Sequence, residues 1–366
     1  MTDVTLSAPV WVSPPGHTIA DILAERCLTQ AQLAERMGFT RKHVNALVKG
    51  TAAIEPGTAL KLESVLGSTA KFWLTREVRY REALARRQEL KVLERDLPWL
   101  STLPVADMVR YGWIRKWTSR TEQLAECLRF FSVASVEAWN SSYGRPLAAF
   151  RASHRGEAQM GAVAAWLRQG ERMAGEVSCG GFDATGFRRE LLGLRSVTLQ
   201  SDPAVFVPVL KQSCAKHGVA VVFVPPPKGC PAFGATRWLS PGKAVLQLSL
   251  RGKANDLLWF TFFHEAAHIL LHGKKLLFLE GTEGLDPKLE SEADGLAADI
   301  LVPPHYGKRL PYIGVSRECV VAFANEVGVA PGIVVGRLQR EGLVKWDHLN
   351  GLKVYYRWKE QSQGSA

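Results

Sequence analysis

The chain has 366 residues, enough for two or three domains at about 100–200 residues each. Hydrophobic residues make up 46% and charged residues 22%, so there is enough apolar material for packed cores and a disordered chain is excluded. The formal charge of +11 suits an acidic partner such as nucleic acid, but the excess is spread along the chain and residues 201–300 carry none of it.

The opening segment MTDVTLSAPVW has no basic stretch followed by a long apolar one, so no secretory signal is expected. The longest apolar runs, Val219–Val224 and Leu257–Phe263, fall far short of the ~20 residues of a membrane span. Six cysteines (Cys27, Cys127, Cys179, Cys214, Cys230, Cys319) include no CxxC pair, which argues against a disulfide framework or a zinc–thiolate site. A reduced, cytoplasmic protein without a membrane partner is expected.

Residues 16–90 read as short helices that must pack on one another. Apolar positions recur at helical spacing in Ile19, Ile22 and Leu23, in Leu33 and Met37, in Val44 and Leu47, and in Leu60, Leu62 and Leu66. Start signals stand at Thr29 (with Gln32 three residues on), Thr40 and Pro56, and stop signals at Gly38, Gly50 and Gly67. The stretch 76–95 is rich in strong helix formers with interleaved charges and suits a connecting or dimerisation helix. Residues 101–170, rich in Trp and Ala, predict a helical bundle, with a break at 173–186. Beyond residue 200 the composition changes. Val219–Val224, Ala235–Leu239 and Ala244–Leu250 predict strands. Helices follow from about Asn255 to Leu271, over Pro287–Leu301, over Ser316–Val327 and over Pro331–Glu341.

The sharpest chemical signal is HEAAH at 264–268. Residues four apart share a helix face, so His264 and His268 can direct two imidazoles at one ion. Glu265 lies one position round, where it can hold a water beside the metal and take its proton. Chance placement of this chain's His and Glu yields only on the order of 0.01 such matches. The bland alternative is a helix with two surface histidines and a solvated Glu. The flanking LLWFTFF and ILL speak against it, since polar groups buried in so apolar a helix are costly without a ligand. A zinc site needs a third protein ligand. His272 continues the face but lies about 6 Å further along the axis, which suits packing or a supporting role better than ligation. The acidic run Glu290-Ser-Glu-Ala-Asp294 offers Glu290 as ligand, Glu292 as the competing choice, and Asp294 as a group hydrogen-bonding a ligand histidine. The alternative for each acid is a solvated helix face.

The second signal is LTQAQLAERMGFTRKHVNALVKG at 28–50. Two capped helices joined by a tight turn at Gly38 would present Thr40, Arg41, Lys42, His43 and Asn45 from the start of the second, with Lys49 near its end. That arrangement suits phosphate and base-edge contacts in a DNA major groove. Any small helical domain also needs caps and exposed basic residues.

With these motifs in view, residues 13–75 resemble the HigA-like branch of the Xre-type helix-turn-helix regulators, through SPPGHTIADILAERCLTQAQLAERMGFTRKHVNALVKG and AAIEPGTALKLESVLGSTAKFWL. Residues 200–345 resemble the ImmA/IrrE metallopeptidases, through GATRWL, FFHEAAHILLHGK, ESEADGLAADILVPP and VAPGIVVGRLQREGL. LVPP stands where LLMP is usual, and Asp294 where Asn is common. The resemblance implies zinc held by His264, His268 and Glu290, Glu265 as general base, and site-specific cleavage of a regulatory protein, a repressor or antitoxin.

The expected fold is α+β: an all-helical N-terminal helix-turn-helix domain (13–75), a helical connecting region (76–199), a zincin-like domain with a small sheet and the HExxH helix (200–345), and a C-terminal tail (346–366). The expected function is a DNA-binding transcriptional regulator with zinc endopeptidase activity. Its competitor is a HigA-like antitoxin whose peptidase-like domain binds a toxin without cleaving it. A third possibility is a helix-turn-helix fold that recognises the substrate repressor rather than DNA. A homodimer would suit palindromic DNA. Arg237, His272, His305 and Tyr306 are open choices for a proton donor.

Overall fold

The computed structural model describes residues 13–144, 157–273, 278–279 and 286–358. The chain divides into two compact units, Met1–Asp96 and Leu97–Ala366.

The first unit is helical: α1 (Pro15–Glu25), α2 (Gln30–Met37), α3 (Arg41–Val48), α4 (Pro56–Leu66) and α5 (Ala70–Asp96). Local chemistry sets the ends of α2. The backbone N–H of Gln32 donates to Thr29 Oγ1 at 3.2 Å, and the N–H of Thr29 donates back to Gln32 Oε1 at 2.9 Å, satisfying two donors the helix itself leaves open. Gly38 closes α2 in the left-handed region at φ 66°, and Thr40 Oγ1 then accepts from the N–H of His43 to start α3. Ile19, Leu23, Leu33, Met37, Val44, Leu47, Leu62 and Trp73 form the core. Leu60, placed by its spacing among the apolar positions, faces solvent instead.

The predicted boundary at 75/76 falls inside α5. That helix runs unbroken from 70 to 96, and its early turns belong to the first core. Trp73 is fully buried with Nε1 donating to the Gly67 carbonyl, and Arg81 Nη2 donates to the Gly50 carbonyl.

The second unit begins with a 3-10 turn (Leu97–Thr102) and short helices α6 (Val105–Arg110), α7 (Arg120–Phe131) and α8 (Val136–Trp139), joined by an aromatic cluster of Trp99, Phe131 and Trp139. Then come α9 (Glu157–Glu176), α10 (Ala184–Leu194) and α11 (Pro203–Lys216). The predicted break at 173–186 shrinks accordingly, because α9 continues to Glu176 and Asp183 caps α10 through the N–H of Gly186. Strands β1 (Val219–Phe223), β2 (Gly234–Ser240) and β3 (Lys243–Leu248) follow. After them come α12 (Asn255–Leu271), β4 (Phe278–Leu279), α13 (Pro287–Leu301), α14 (Pro304–Gly307), α15 (Arg317–Val327) and α16 (Pro331–Arg340).

The sheet order is β1-β3-β2-β4. β1 runs parallel to β3 with Val219 opposite Ala244, whereas β2 is antiparallel to both β3 and β4. Helix α9 is buried against this sheet: Trp166 Nε1 donates to the Val224 carbonyl at 2.9 Å, and Gln247 Nε2 donates to the Trp166 carbonyl at 2.7 Å. The boundary predicted at 199/200 therefore separates nothing, since α9 from the presumed connecting region shares the core of the strands that follow it.

Alternation along β2 directs Gly234 and Thr236 toward α12, and Arg237 to the other side, where it pairs with Glu171 of α9. Helix α12 is apolar nearly all round, as a helix packed on every side must be. Its first turn lacks a side-chain cap and is held by residues assigned to the C-terminal tail. The N–H of Asn255 donates to the Val354 carbonyl, the N–H of Val354 returns to Asn255 Oδ1, and the N–H of Tyr356 donates to the Lys253 carbonyl. Lys353 pairs with the buried Asp256 at 2.7 Å, and Tyr356 is 4% exposed. Residues 353–356 are thus part of the second core rather than a tail.

Among the described residues no single helix is long and apolar enough to cross a membrane.

Candidate functional site

Helix α12 carries His264, Glu265 and His268 in its third and fourth turns, and α13 carries Glu290 in its first. His264 is 2% exposed, His268 1% and Glu265 0%, so the reading of surface histidines with a solvated Glu does not describe this helix. The two Nε2 atoms lie 2.9 Å apart. Glu290 reaches both, with Oε2 3.3 Å from His264 Nε2 and Oε1 3.2 Å from His268 Nε2. Three donors at such separations surround a point about 2 Å from each, the length of a zinc–nitrogen or zinc–oxygen bond. Two imidazoles and one carboxylate are a donor set that fits zinc.

The surrounding groups fix which ring nitrogens face that point. Asp294 Oδ1 lies 2.9 Å from His264 Nδ1, so Nδ1–H donates to the carboxylate and Nε2 keeps its lone pair. His268 is set by a relay. Glu292 Oε2 lies 3.3 Å from His272 Nε2, which makes that nitrogen the donor. His272 Nδ1, 2.8 Å from His268 Nδ1, then accepts and leaves Nε2 of His268 as the inward lone pair. His272 and Asp294 thus stand behind the two imidazoles. Glu292, the competing ligand, holds His272 instead.

Burial and the neighbouring groups set the protonation of these side chains. Burial lowers the pKa of His268, keeping it in the neutral form that binds metals. Burial alone would raise the Glu290 carboxyl, but the neighbouring His264 and His268 imidazoles outweigh it and bring the pKa to about 2. Glu265 lies beneath β2: a Cβ at Gly234 would stand 2.7 Å from Glu265 Cγ, so only glycine leaves room for this side chain. Thr236 Oγ1 donates to the Glu265 carbonyl.

Arg237 is occupied by Glu171 on the far side of the sheet. Tyr306 donates to the Glu326 carbonyl and His305 rests on the Tyr306 ring, so these side chains belong to the α14–α15 packing. One partner escaped sequence reasoning. Arg340 of α16 places Nη2 2.5 Å from Asp294 Oδ2 and its guanidinium over the Phe260 ring. It is 46 residues from Asp294, and no local pattern joins the two.

In the first unit, α2 and α3 meet at the Gly38 turn. Arg41, Lys42 and Lys49 are exposed along α3. The helix-turn-helix family matches residues 19–73. Residues 19–73 are a helix-turn-helix domain. Among solved structures, an addiction module antidote protein of a HigA family from Coxiella burnetii is similar at 28% identity and a TM-score of 0.22, over 23% of this chain and 94% of that one. No curated protein matches the chain.

Within the helix-turn-helix domain the five predicted contact residues divide by role. Arg41 and Lys42 project freely from the start of α3 and suit contact with DNA. Thr40 is spent on the cap of that helix. His43 packs edge-on against Phe39, with ring centres 4.7 Å apart. Asn45 turns inward, its Nδ2 donating to Gln30 Oε1 at 3.3 Å and tying α3 to α2. Of the expected contact residues, Arg41 and Lys42 are exposed, as is Lys49, whereas His43 and Asn45 are partly buried.

Proposed function

We propose that this chain is a DNA-binding regulator whose second unit is a zinc-dependent endopeptidase acting on a regulatory protein, a repressor or antitoxin. The observation that carries this reading is the convergence of His264, His268 and Glu290 beside the buried Glu265. Zinc, when bound there, would supply a Lewis acid that polarises a peptide carbonyl and makes water acidic enough to be deprotonated near neutral pH. The chain supplies the rest. Asp294 and the Glu292–His272 relay hold the two imidazoles in the tautomer that presents Nε2. Glu265, on the turn between them, accepts the proton of the attacking water and returns it to the departing amine. The first unit brings this activity to DNA, with Arg41, Lys42 and Lys49 on phosphates or base edges.

The test is the metal content of the purified protein beside a His264→Ala variant. About one zinc per chain, lost in the variant, is expected. Glu265→Gln should keep the metal and abolish cleavage of the partner protein. No uptake even with added zinc at neutral pH would overturn the peptidase reading and leave a helix-turn-helix antitoxin or autorepressor, whose second unit binds a toxin without cutting it.

A further inference from the structure

A cavity of about 80 Å³ lies beside α12, between α13 and α16. Its walls are apolar, from Leu257, Phe260, Leu301 and Ile333, and the largely exposed Trp346 stands among the lining residues. The two long helices run alongside each other here. A Cβ at Gly332 would meet Asn255, one at Gly336 would meet Asp256, and Arg340 covers Phe260. The cavity therefore follows α12 from its first turn to the turn before His264.

Two cations line it. Arg337 pairs with Glu341 of its own helix, and Arg340 pairs with Asp294, the carboxylate that also holds His264. The Arg340–Asp294 pair is half exposed, with side chains 52% and 36% accessible. Water competes with such a pair, which makes it weak. Asp256, also in the lining, is tied to Lys353 at 2.7 Å, so its charge is compensated.

We propose that this cavity binds a small apolar carboxylic acid, whose hydrocarbon body fills it and whose carboxylate takes Arg340 from Asp294. The Asp294 contact is a half-exposed ion pair, whereas an apolar acid gains by leaving water for the walls. Released from the guanidinium, Asp294 accepts more strongly from Nδ1–H of His264 and makes Nε2 a more basic metal ligand. Occupancy therefore tightens the metal centre. This coupling rests on the zinc reading above; the binding site does not.

The experiment titrates hexanoate, and 1-hexanol as its uncharged counterpart, into the full chain with and without zinc by calorimetry. Saturable hexanoate binding at least about tenfold tighter than hexanol is expected, with the difference lost in Arg340→Gln. Zinc affinity by chelator competition should rise about 3–10-fold with hexanoate in the unaltered chain and not in Arg340→Gln. Equal affinity for acid and alcohol would make the cavity a plain apolar side-chain pocket, and no binding of either would make it a packing gap. Both overturn the proposal, as does acid selectivity that survives Arg340→Gln. A chain that binds hexanoate selectively but takes no zinc keeps the site and sinks the peptidase reading together with the coupling. A chain that takes zinc but ignores hexanoate does the reverse.

Discussion

At the scale of single residues, the second unit spends several side chains on orienting others. Asp294 touches His264 through one oxygen and Arg340 through the other. Asp294→Ala should therefore lower zinc affinity about 10–100-fold in chelator competition while leaving the unfolding midpoint of the first unit unchanged; undiminished affinity would contradict the role given to this carboxylate. The cysteines provide an independent check on burial. Cys127 and Cys230 are buried, and loss of solvation pushes both thiols up to about 12; the same cause raises Cys214. Cys27 and Cys319 are exposed. A thiol reagent at pH 8 should modify Cys27 and Cys319 promptly, and Cys127, Cys214 and Cys230 only after denaturation. Prompt reaction of all six would show that the cores are not packed as described.

At the scale of elements, the starts of α2 and α3 are set by side chains that cap them. Removing the reciprocal cap with Thr29→Ala should cost about 1 kcal/mol, read as a lower denaturation midpoint at unchanged m-value. On α3, Arg41→Ala or Lys42→Ala should each reduce the slope of log affinity against log salt by about one and weaken DNA binding. Asn45→Ala should chiefly lower stability, because its amide bonds Gln30. These assignments show what local sequence can and cannot reveal. Thr29, Gly38 and Thr40 act over three or four positions, and the HEAAH spacing acts within one helix turn, so each was visible in the letters alone. The predicted spans Asn255–Leu271 and Pro287–Leu301 match α12 and α13 for the same reason. Leu60 faces solvent because periodicity tells which positions share a face, and only the packed neighbours decide whether that face is covered.

At the scale of the whole molecule, the division at Asp96 and Leu97 follows from two separate cores and was hidden from composition. Charge and helix-former content change gradually along α5, so nothing in 70–96 announces where one core stops. The run around Trp166 looked like more helical bundle, since an all-buried helix has the same letters whether it packs on helices or on a sheet. Residues 13–96 expressed alone should unfold cooperatively and keep salt-sensitive DNA binding, while zinc should remain with 97–366. A molten 13–96 fragment would refute the independence of the first core. The clasp of residues 353–356 over the first turn of α12 has a further consequence, which concerns the order of events during synthesis. The helix-turn-helix domain is complete once residue 96 has emerged. His264 and His268 on α12 emerge much later and still lack the segment that fastens the start of their helix. At roughly 5–20 residues per second, the wait from His268 to Tyr356 is roughly 4–18 s. A nascent chain can therefore complete its helix-turn-helix domain before the His264–His268–Glu290 cluster is fastened, and premature termination anywhere before Val354 leaves that cluster without the clasp on its helix.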